Sequence, residues 1–356
     1  MTTNETATTS TFLFSNKADS KIRFGIEDNG TVYSKSAQPS QDIFTRRIAR
    51  LYNRKIAYSN KAENIIDSLL MALASGNEKI AVSSTLFPPL NALISSSVDN
   101  HGIKCVYFDD IKQLRSALKN GAKAVLISSS SVLCCSVNTT QACSLCREYS
   151  APLIVDNTLT TAFNYNPFAD DADFVLEMSH LVSVSDEKNF YITILEKAGF
   201  DWLKNNRYSK LFPYRNTRKP VTMFIKGKCK TIDTENNKVA QAEYFTMCEG
   251  LRTLNKRINI HSHNSYFIAE ILKEYCTELS YNFINSKSSV CLTARLKPEL
   301  SEEIKEKLLP VTIYRQERLY SMFSCTAVYF ENDIMYIKAG TEPTGYLNQI
   351  FRLISD

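Results

Sequence analysis

The sequence predicts an α/β fold with a mainly parallel sheet, followed by a smaller α+β domain at the C-terminal end. Three observations lead to this prediction. Between residues 54 and 200, continuous apolar runs typical of buried strands alternate with segments of helical periodicity. Gly76, Gly102 and Gly121 each precede such a run, where helix C-caps belong. Beyond about residue 238 the order changes to a long helical pattern followed by strands and short helices.

The large domain is predicted over residues 54–238, after an N-terminal arm of residues 1–53. Its strands are the runs EKIAVSS, IKCVYF, KAVLISS and PLIVDN, and its helices are ENIIDSLLMALAS, FPPLNALISSSV, IKQLRSALKN and TTQACSLCREY. The basic, asparagine-rich segment 203–238 is predicted to be a loop or a domain connection.

The C-terminal domain is predicted over residues 239–356. Residues 242–276 form one long helical pattern, which we expect to bend or divide near residues 257–261. Strands SVCLTARL, SCTAVYF and DIMYIKAG and helices SEEIKEKLL and TGYLNQIFRLIS complete this domain.

Composition excludes several classes of protein. The net charge of +5 is small for 356 residues and the basic residues are scattered, which argues against nucleic-acid binding. No apolar run approaches the roughly 18 residues of a membrane span. The polar N-terminus lacks the features of a secretory signal, so we expect a cytoplasmic protein.

Cysteine and glycine usage bear on cofactors. Cys143 and Cys146 have CxxC spacing, but they lie in a predicted helix and no second ligand pair accompanies them, so no metal is expected. The ten glycines are less than half of the roughly 7% typical of proteins, and neither GxGxxG nor GxxxxGK[ST] occurs. The chain is therefore poor in phosphate-binding loops.

One strand end carries most of the candidate chemistry. Ligands of parallel sheets bind at the carboxyl ends of the strands, and PLIVDN ends in Asp156 and Asn157, with Thr158 next. A second apolar strand, residues 173–178, leads to His180. Asp156 either pairs with a ligand or caps its own turn through the Thr158 N–H, and both readings stay open. His180 is either a base or a hydrogen-bonded structural residue.

Four stretches resemble a known family: YSKSAQPSQDIFTRRIARL, PLIVDNTLTT, GFDW and EGLRTLNKRINIHSHNSYFIAEIL. They are similar to motifs of the Cys/Met-metabolism enzymes that use pyridoxal phosphate (PLP), in particular O-acetylhomoserine sulfhydrylases and cystathionine γ-synthases. The resemblance extends from Tyr33 to about residue 350. It implies the PLP-dependent transferase fold of type I, with a seven-stranded type of large sheet and sites completed between subunits.

The resemblance also implies residue roles. Asp156 matches the aspartate that pairs with the pyridine nitrogen, and Phe87 falls where a tyrosine stacks on the cofactor. Tyr33 and Lys35 fall on the phosphate-binding tyrosine and arginine of a neighbouring subunit. Phe87 is alternatively a core residue, and Tyr33 an interface residue. We interpret His261 and His263 as packing or surface residues.

Several family positions have changed in this sequence. The phosphate-binding turn falls on Asn60, Lys61 and Ala62. The asparagine of an Asn-Pro motif falls on Ser131, with Val132 in place of the proline. The arginine that binds the substrate carboxylate falls on Tyr336. The lysine that forms the aldimine falls on Leu181, or on Val182 after a one-residue shift, and the nearest lysine is Lys188.

These changes lead to three hypotheses. The first is a degenerate, non-catalytic relative with a structural or regulatory role in a homodimer, a homotetramer or a hetero-oligomer with an active paralogue. The second is an active PLP-dependent transferase or lyase of sulfur amino-acid metabolism that uses another lysine, such as Lys188. The third is a small-molecule binding module that reuses the cleft without PLP. No nucleic-acid or membrane partner is expected.

Overall fold

The computed structural model describes residues 39–130, 137–182, 190–197, 221–232, 241–284, 287–308, 326–331, 333–352 and 354. Within these ranges, no helix combines the length and apolar character needed to cross a membrane. Two sheets organise the described residues, one of seven strands and one of four.

The larger sheet is mainly parallel. Its strands are β1 (Ala57–Lys61), β2 (Lys79–Ser83), β3 (Lys104–Phe108), β4 (Ala122–Ser128), β5 (Leu153–Asp156), β6 (Phe174–Met178) and β7 (Tyr191–Glu196). They lie in the order β1-β7-β6-β5-β4-β2-β3. Pairing from β3 through β2, β4 and β5 to β6 is parallel, whereas β7 is antiparallel to both β6 and β1.

Helices cover both faces of this sheet, as its apolar strands require. The helices of the large sheet are α1 (Pro39–Leu51), α2 (Ala62–Leu73), α3 (Pro88–His101), α4 (Ile111–Lys119), α5 (Thr139–Glu148), α6 (Thr161–Asn164) and α7 (Val221–Ile232). Leu126 and Ile154 join the core under α1, α2 and α3, and their neighbours Val125 and Val155 join the core under α4 and α5. This alternation follows from the two-residue period of a strand.

A smaller antiparallel sheet follows. Its strands are β8 (Cys276–Ile284), β9 (Lys287–Leu296), β10 (Ala327–Glu331) and β11 (Ile334–Lys338), in the order β10-β11-β9-β8. The helices are α8 (Gln241–Leu272), α9 (Ser301–Leu308) and α10 (Thr344–Arg352). Tyr244 and Met247 of α8 belong to the large core, whereas Ile268 and Leu272 belong to the core of the small sheet. One helix therefore serves both sheets.

The predicted fold class is confirmed, and three local predictions are corrected. Residues 221–232, predicted as part of a loop or connection, form α7, because Val221, Ile225 and Cys229 bury one face at helical spacing. The long helix is not divided near residues 257–261. The segment has no glycine or proline after Gly250 until its end, and it runs unbroken to Leu272. The helix ends at Leu272, before the expected end at Cys276, and residues 276–284 form strand β8, which the sequence did not predict.

Candidate functional site

Asp156 lies at the carboxyl end of β5 and is buried, with 3% of its surface exposed. Its Oδ1 accepts hydrogen bonds from the Thr158 backbone N–H at 3.1 Å and from Thr158 Oγ1 at 2.5 Å. Its Oδ2 accepts from Ser128 Oγ at 3.0 Å. Burial raises the pKa of the Asp156 carboxyl, and these hydrogen bonds oppose the shift. Asp156 therefore caps its own turn, as the structural reading of the sequence predicted.

Phe87 lies beside Asp156. The Phe87 backbone N–H donates to Ser128 Oγ at 3.2 Å, and the same hydroxyl donates to Asp156. The Phe87 ring is fully buried and meets the His180 ring edge-on, with centroids 4.8 Å apart. Two residues that the family resemblance assigns to one site are thus linked through Ser128.

His180 follows β6 and is enclosed by aromatic rings. Its ring stacks on Phe190 at a centroid distance of 4.5 Å and an interplanar angle of 10°. Among the described residues, neither ring nitrogen has a hydrogen-bond partner. Burial, with a smaller contribution from the charge of Lys338, lowers the pKa of His180 to about 3. The imidazole is therefore neutral near pH 7.

The turn after β6 is Ser179, His180, Leu181 and Val182, and it contains no amine. Leu181 and Val182 are buried in the large core. Their carbonyl oxygens accept from the Arg257 guanidinium of α8, at 2.8 Å from Nη1 and 3.3 Å from Nη2. Nη2 also donates to the Gly250 carbonyl at 3.0 Å. Arg257 therefore fixes the backbone of the turn from a distant helix.

The junction between β1 and α2 lies next to the same aromatic group. The Ala62 N–H donates to the Phe190 carbonyl at 2.8 Å, and the Lys61 N–H donates to Asn60 Oδ1 at 2.6 Å. The Asn60 amide in turn donates to the Tyr58 hydroxyl at 2.8 Å. Both leading backbone donors of this junction are thus occupied within the chain.

A second buried acid lies one strand position from Asp156. Glu177 on β6 accepts from the Tyr52 hydroxyl through Oε2, and Asn157 Nδ2 donates to the same hydroxyl at 2.7 Å. Glu177 Oε1 and Asn157 Oδ1 are buried without partners in the described part of the chain. Burial raises the pKa of Glu177 to about 7, with an added contribution from the charge of Asp156.

Other predicted residues lie elsewhere or outside the described ranges. Tyr336 on β11 stacks on Tyr329, with ring centroids 6.0 Å apart. His261 is buried and its Nδ1 lies 2.7 Å from the Ala339 carbonyl oxygen, in agreement with a packing role, whereas His263 is exposed. Outside the described residues lie four predicted positions: Tyr33, Lys35, Ser131 and Lys188.

The cysteines of the CxxC segment are structural. Cys143 and Cys146 are both buried on α5 in the core under α4 and α5. Burial raises the pKa of each thiol, which disfavours the thiolate that a metal needs. The described residues contain no group of three or more His, Cys, Asp or Glu side chains placed to hold a metal ion.

Sequence reasoning missed Arg257, Phe190 and Lys338. Lys338, at the end of β11, is buried with 3% of its surface exposed, and its charge lowers the pKa of both His180 and His261. A lysine closing the apolar strand IMYIK is the signal that could have identified it.

PLP, which the resemblance implies, fits these residues only in part. Asp156 is a buried carboxylate at a strand end, suitable for a pyridine nitrogen. The turn predicted to supply the aldimine lysine has no amine. At the predicted phosphate turn, the Lys61 and Ala62 amides are occupied, and Glu63 places an acidic side chain in the first turn of α2. Within the described part of the chain, the residues at these two positions do not fit the phosphate or a covalent link.

Known structures share this fold. The fold matches an O-acetylhomoserine (thiol)-lyase of Campylobacter jejuni, described as putative and holding pyridoxyl-lysine monophosphate, with a TM-score of 0.82 and 19% identity over 99% of this chain and 94% of that one. It also matches cystathionine γ-synthase of Xanthomonas oryzae, with a TM-score of 0.77 and 14% identity over 99% of this chain and 92% of the other.

Sequence comparison gives the same group of relatives. The chain is 23% identical over 296 residues to O-acetyl-L-homoserine sulfhydrylase of Corynebacterium glutamicum, covering 78% of this chain and 68% of that protein. It is 24% identical over 270 residues to homocysteine synthase of Schizosaccharomyces pombe, covering 71% of this chain and 62% of that protein. Residues 2–298 match the family described as Cys/Met metabolism PLP-dependent enzyme. The chain belongs to this family.

Proposed function

We propose that this chain is a family member without PLP chemistry, which serves as a structural or regulatory subunit in an oligomer of the family type. The observation that carries the proposal is the turn Ser179–Val182. Leu181 and Val182 are buried there, and Arg257 binds their carbonyl oxygens. In the alignment that the family resemblance implies, the amine that forms an aldimine with PLP comes from this turn.

The β1–α2 junction supports the proposal independently. A phosphate at a helix start is held by free backbone N–H groups and by cations. Here the N–H of Ala62, the first residue of α2, is bonded to the Phe190 carbonyl, the preceding Lys61 N–H is bonded to Asn60, and Glu63 adds negative charge. The absence of an amine in the turn affects the covalent link to PLP, and the occupied N–H groups affect the binding of its phosphate. A single lysine elsewhere in the chain therefore does not restore both.

The first experiment is the visible spectrum of the purified full-length protein during titration with PLP, followed by borohydride reduction and peptide mapping. We expect no saturable aldimine absorbance and only scattered, substoichiometric labelling of exposed lysines. Stoichiometric labelling of one lysine contradicts the proposal. The Lys188→Ala variant then decides whether that lysine is Lys188, and loss of O-acetylhomoserine turnover in this variant would establish the active-enzyme alternative.

The second experiment concerns the oligomer. The native mass of the chain is measured alone and after co-expression with an intact member of the family. A dimer, a tetramer or a mixed assembly supports a subunit role, and a mixed assembly is then assayed for the activity of the intact partner. A monomer under both conditions contradicts it.

A further inference from the structure

Asn157 closes the loop that follows β5. Its carbonyl oxygen accepts from the Thr160 N–H at 3.2 Å and from the Thr161 N–H at 2.8 Å. Its side-chain Nδ2 donates to the Tyr165 carbonyl oxygen at 2.9 Å. The conformation of residues 157–165 therefore depends on how this one side chain is oriented.

The Asn157 amide and the Glu177 carboxyl meet at one hydroxyl group. Asp156 is the register partner of Leu176 on the parallel strands β5 and β6. The next residue of each strand, Asn157 and Glu177, therefore points to the same face of the sheet. Tyr52 Oη lies 2.5 Å from Glu177 Oε2 and 2.7 Å from Asn157 Nδ2, so these two atoms are separated by no more than the sum of the two distances.

Two buried acceptor atoms in this group have no donor among the described residues. They are Glu177 Oε1 and Asn157 Oδ1, in residues that are 2% and 0% exposed. A buried acceptor without a hydrogen bond destabilises the fold. One proton on the carboxyl group satisfies both atoms, because a protonated Oε1 donates and the amide oxygen of Asn157 accepts.

We propose that Glu177 and Asn157 form a pH-sensitive switch that controls the loop of residues 157–165. In the neutral state, Glu177 Oε1 donates its proton to Asn157 Oδ1, and Asn157 Nδ2 holds the Tyr165 carbonyl. When Glu177 releases the proton to solvent, the amide rotates and Nδ2 donates to the carboxylate. The amide oxygen then faces the Tyr165 carbonyl and repels it, so the loop loosens. This inference goes beyond the proposed function and does not depend on whether PLP binds.

In the described part of the chain, two titratable groups act on Glu177. They are Tyr52, directly after α1, and Asp156 on β5. On β7 the register partner of Glu177 is Thr193, which carries no charge. The Arg54 guanidinium lies over a phenylalanine ring, 4.1 Å from its centroid. Burial makes the largest contribution and raises the pKa of Glu177 to about 7, so the switch changes state near neutral pH.

Hydrogen exchange of the full chain, measured by mass spectrometry between pH 6 and pH 8.5 without PLP, tests the switch. Rates are divided by the intrinsic chemical rate at each pH, and peptides of α4 serve as an internal reference. In the wild type, peptides covering residues 158–165 should exchange about tenfold faster at pH 8.5 than at pH 6, the factor expected for one lost buried hydrogen bond. Glu177→Gln, whose amide N–H replaces the carboxyl proton, should abolish this difference. Glu299→Gln, an exposed change, should retain it.

Tyr52→Phe provides a second readout. The Tyr52 hydrogen bond stabilises the ionised carboxylate, so its loss should raise the pH midpoint of loop exchange above the wild-type value of about 7. Three results would overturn the proposal: a corrected loop rate that does not change with pH, the same change in Glu177→Gln, or an equal change in the α4 peptides, which would indicate global unfolding. If Glu177→Gln does not fold, an unchanged midpoint in Tyr52→Phe overturns it.

Discussion

The hydroxyl of Tyr52 donates a hydrogen bond of 2.5 Å to Oε2 of Glu177, in a part of the core where both side chains are buried. The other carboxylate oxygen, Oε1, lacks a partner among the described residues. The ionised carboxylate is therefore only half satisfied in the folded protein, whereas water satisfies it in the unfolded chain.

Glu177→Gln is expected to increase the free energy of unfolding at neutral pH. The pKa of Glu177 rises from 4.5 to about 7 on folding, so the folded state holds a proton that the unfolded state releases. This group's effect on stability is smallest below pH 4.5 and becomes more unfavourable as the pH rises to about 7. At pH 8 the free energy of unfolding of the variant should exceed that of the wild type by up to about 3 kcal/mol.

Urea unfolding at pH 4.5 and pH 8 measures this difference. Glu299→Gln, an exposed change, serves as the control and should track the wild type at both values. If the free energies of unfolding of Glu177→Gln and the wild type differ by the same amount at both pH values, Glu177 does not titrate in this range.

Asp156→Ala is expected to destabilise the fold by about 2–4 kcal/mol, because three donors from Thr158 and Ser128 lose their acceptor in a buried site. Asp110→Ala is the matched control. Asp110 caps α4 by accepting from the Gln113 N–H at 2.7 Å, at an exposed position, and its loss should cost about 1 kcal/mol. If chemical denaturation shows that Asp156→Ala and Asp110→Ala lose the same free energy of unfolding, the structural role of Asp156 is contradicted.

His180→Phe is expected to make the protein more resistant to acid. Burial lowers the pKa of His180 from 6.5 to about 3, so the unfolded chain binds a proton that the folded chain does not. The stability associated with this group is complete above pH 6.5 and falls as the pH decreases toward 3. The free energy of unfolding of the variant, minus that of the wild type, should be about 2 kcal/mol larger at pH 5 than at pH 7.5.

Unfolding curves at the two pH values test this expectation. His263→Gln, at an exposed position of α8, should show no such change. The same pH dependence in His180→Phe and the wild type would mean that His180 is protonated in the folded protein.

Arg257→Lys is expected to loosen the turn after β6 while keeping the charge. A lysine cannot reproduce the planar fork that binds Leu181, Val182 and Gly250 together. Hydrogen exchange followed by mass spectrometry should show faster exchange in peptides covering residues 179–182. Arg252→Lys, whose arginine pairs with Glu249 on the exposed surface, should leave these peptides unchanged.

Much of the large sheet could be predicted because its strands are buried on both faces. Val125, Leu126 and Ile127 form a continuous apolar run for that reason. Strand β1 has no such run. Its Ser59 and Asn60 are buried through hydrogen bonds to Thr193 and Tyr58, partners that the local sequence does not reveal.

The candidate site could be predicted where strand ends supply it. Asp156 was expected at a ligand site because the carboxyl ends of parallel strands meet at one edge, whereas Phe87 was placed there by the family resemblance. Arg257 and Lys338 could not be placed, because Arg257 binds the turn after β6 from a helix and Lys338 acts on His180 from a strand, both in the C-terminal part of the chain. Their role depends on packing between segments that are distant in the sequence, and local periodicity carries no information about such packing.

Helix α8 has a mechanical consequence. Its 32 residues span about 48 Å, and its two ends are embedded in different hydrophobic cores. A displacement of the small sheet is therefore transmitted along α8 to Arg257, which holds the turn that carries His180. In this chain the position of that turn therefore depends on the distance between the two sheets.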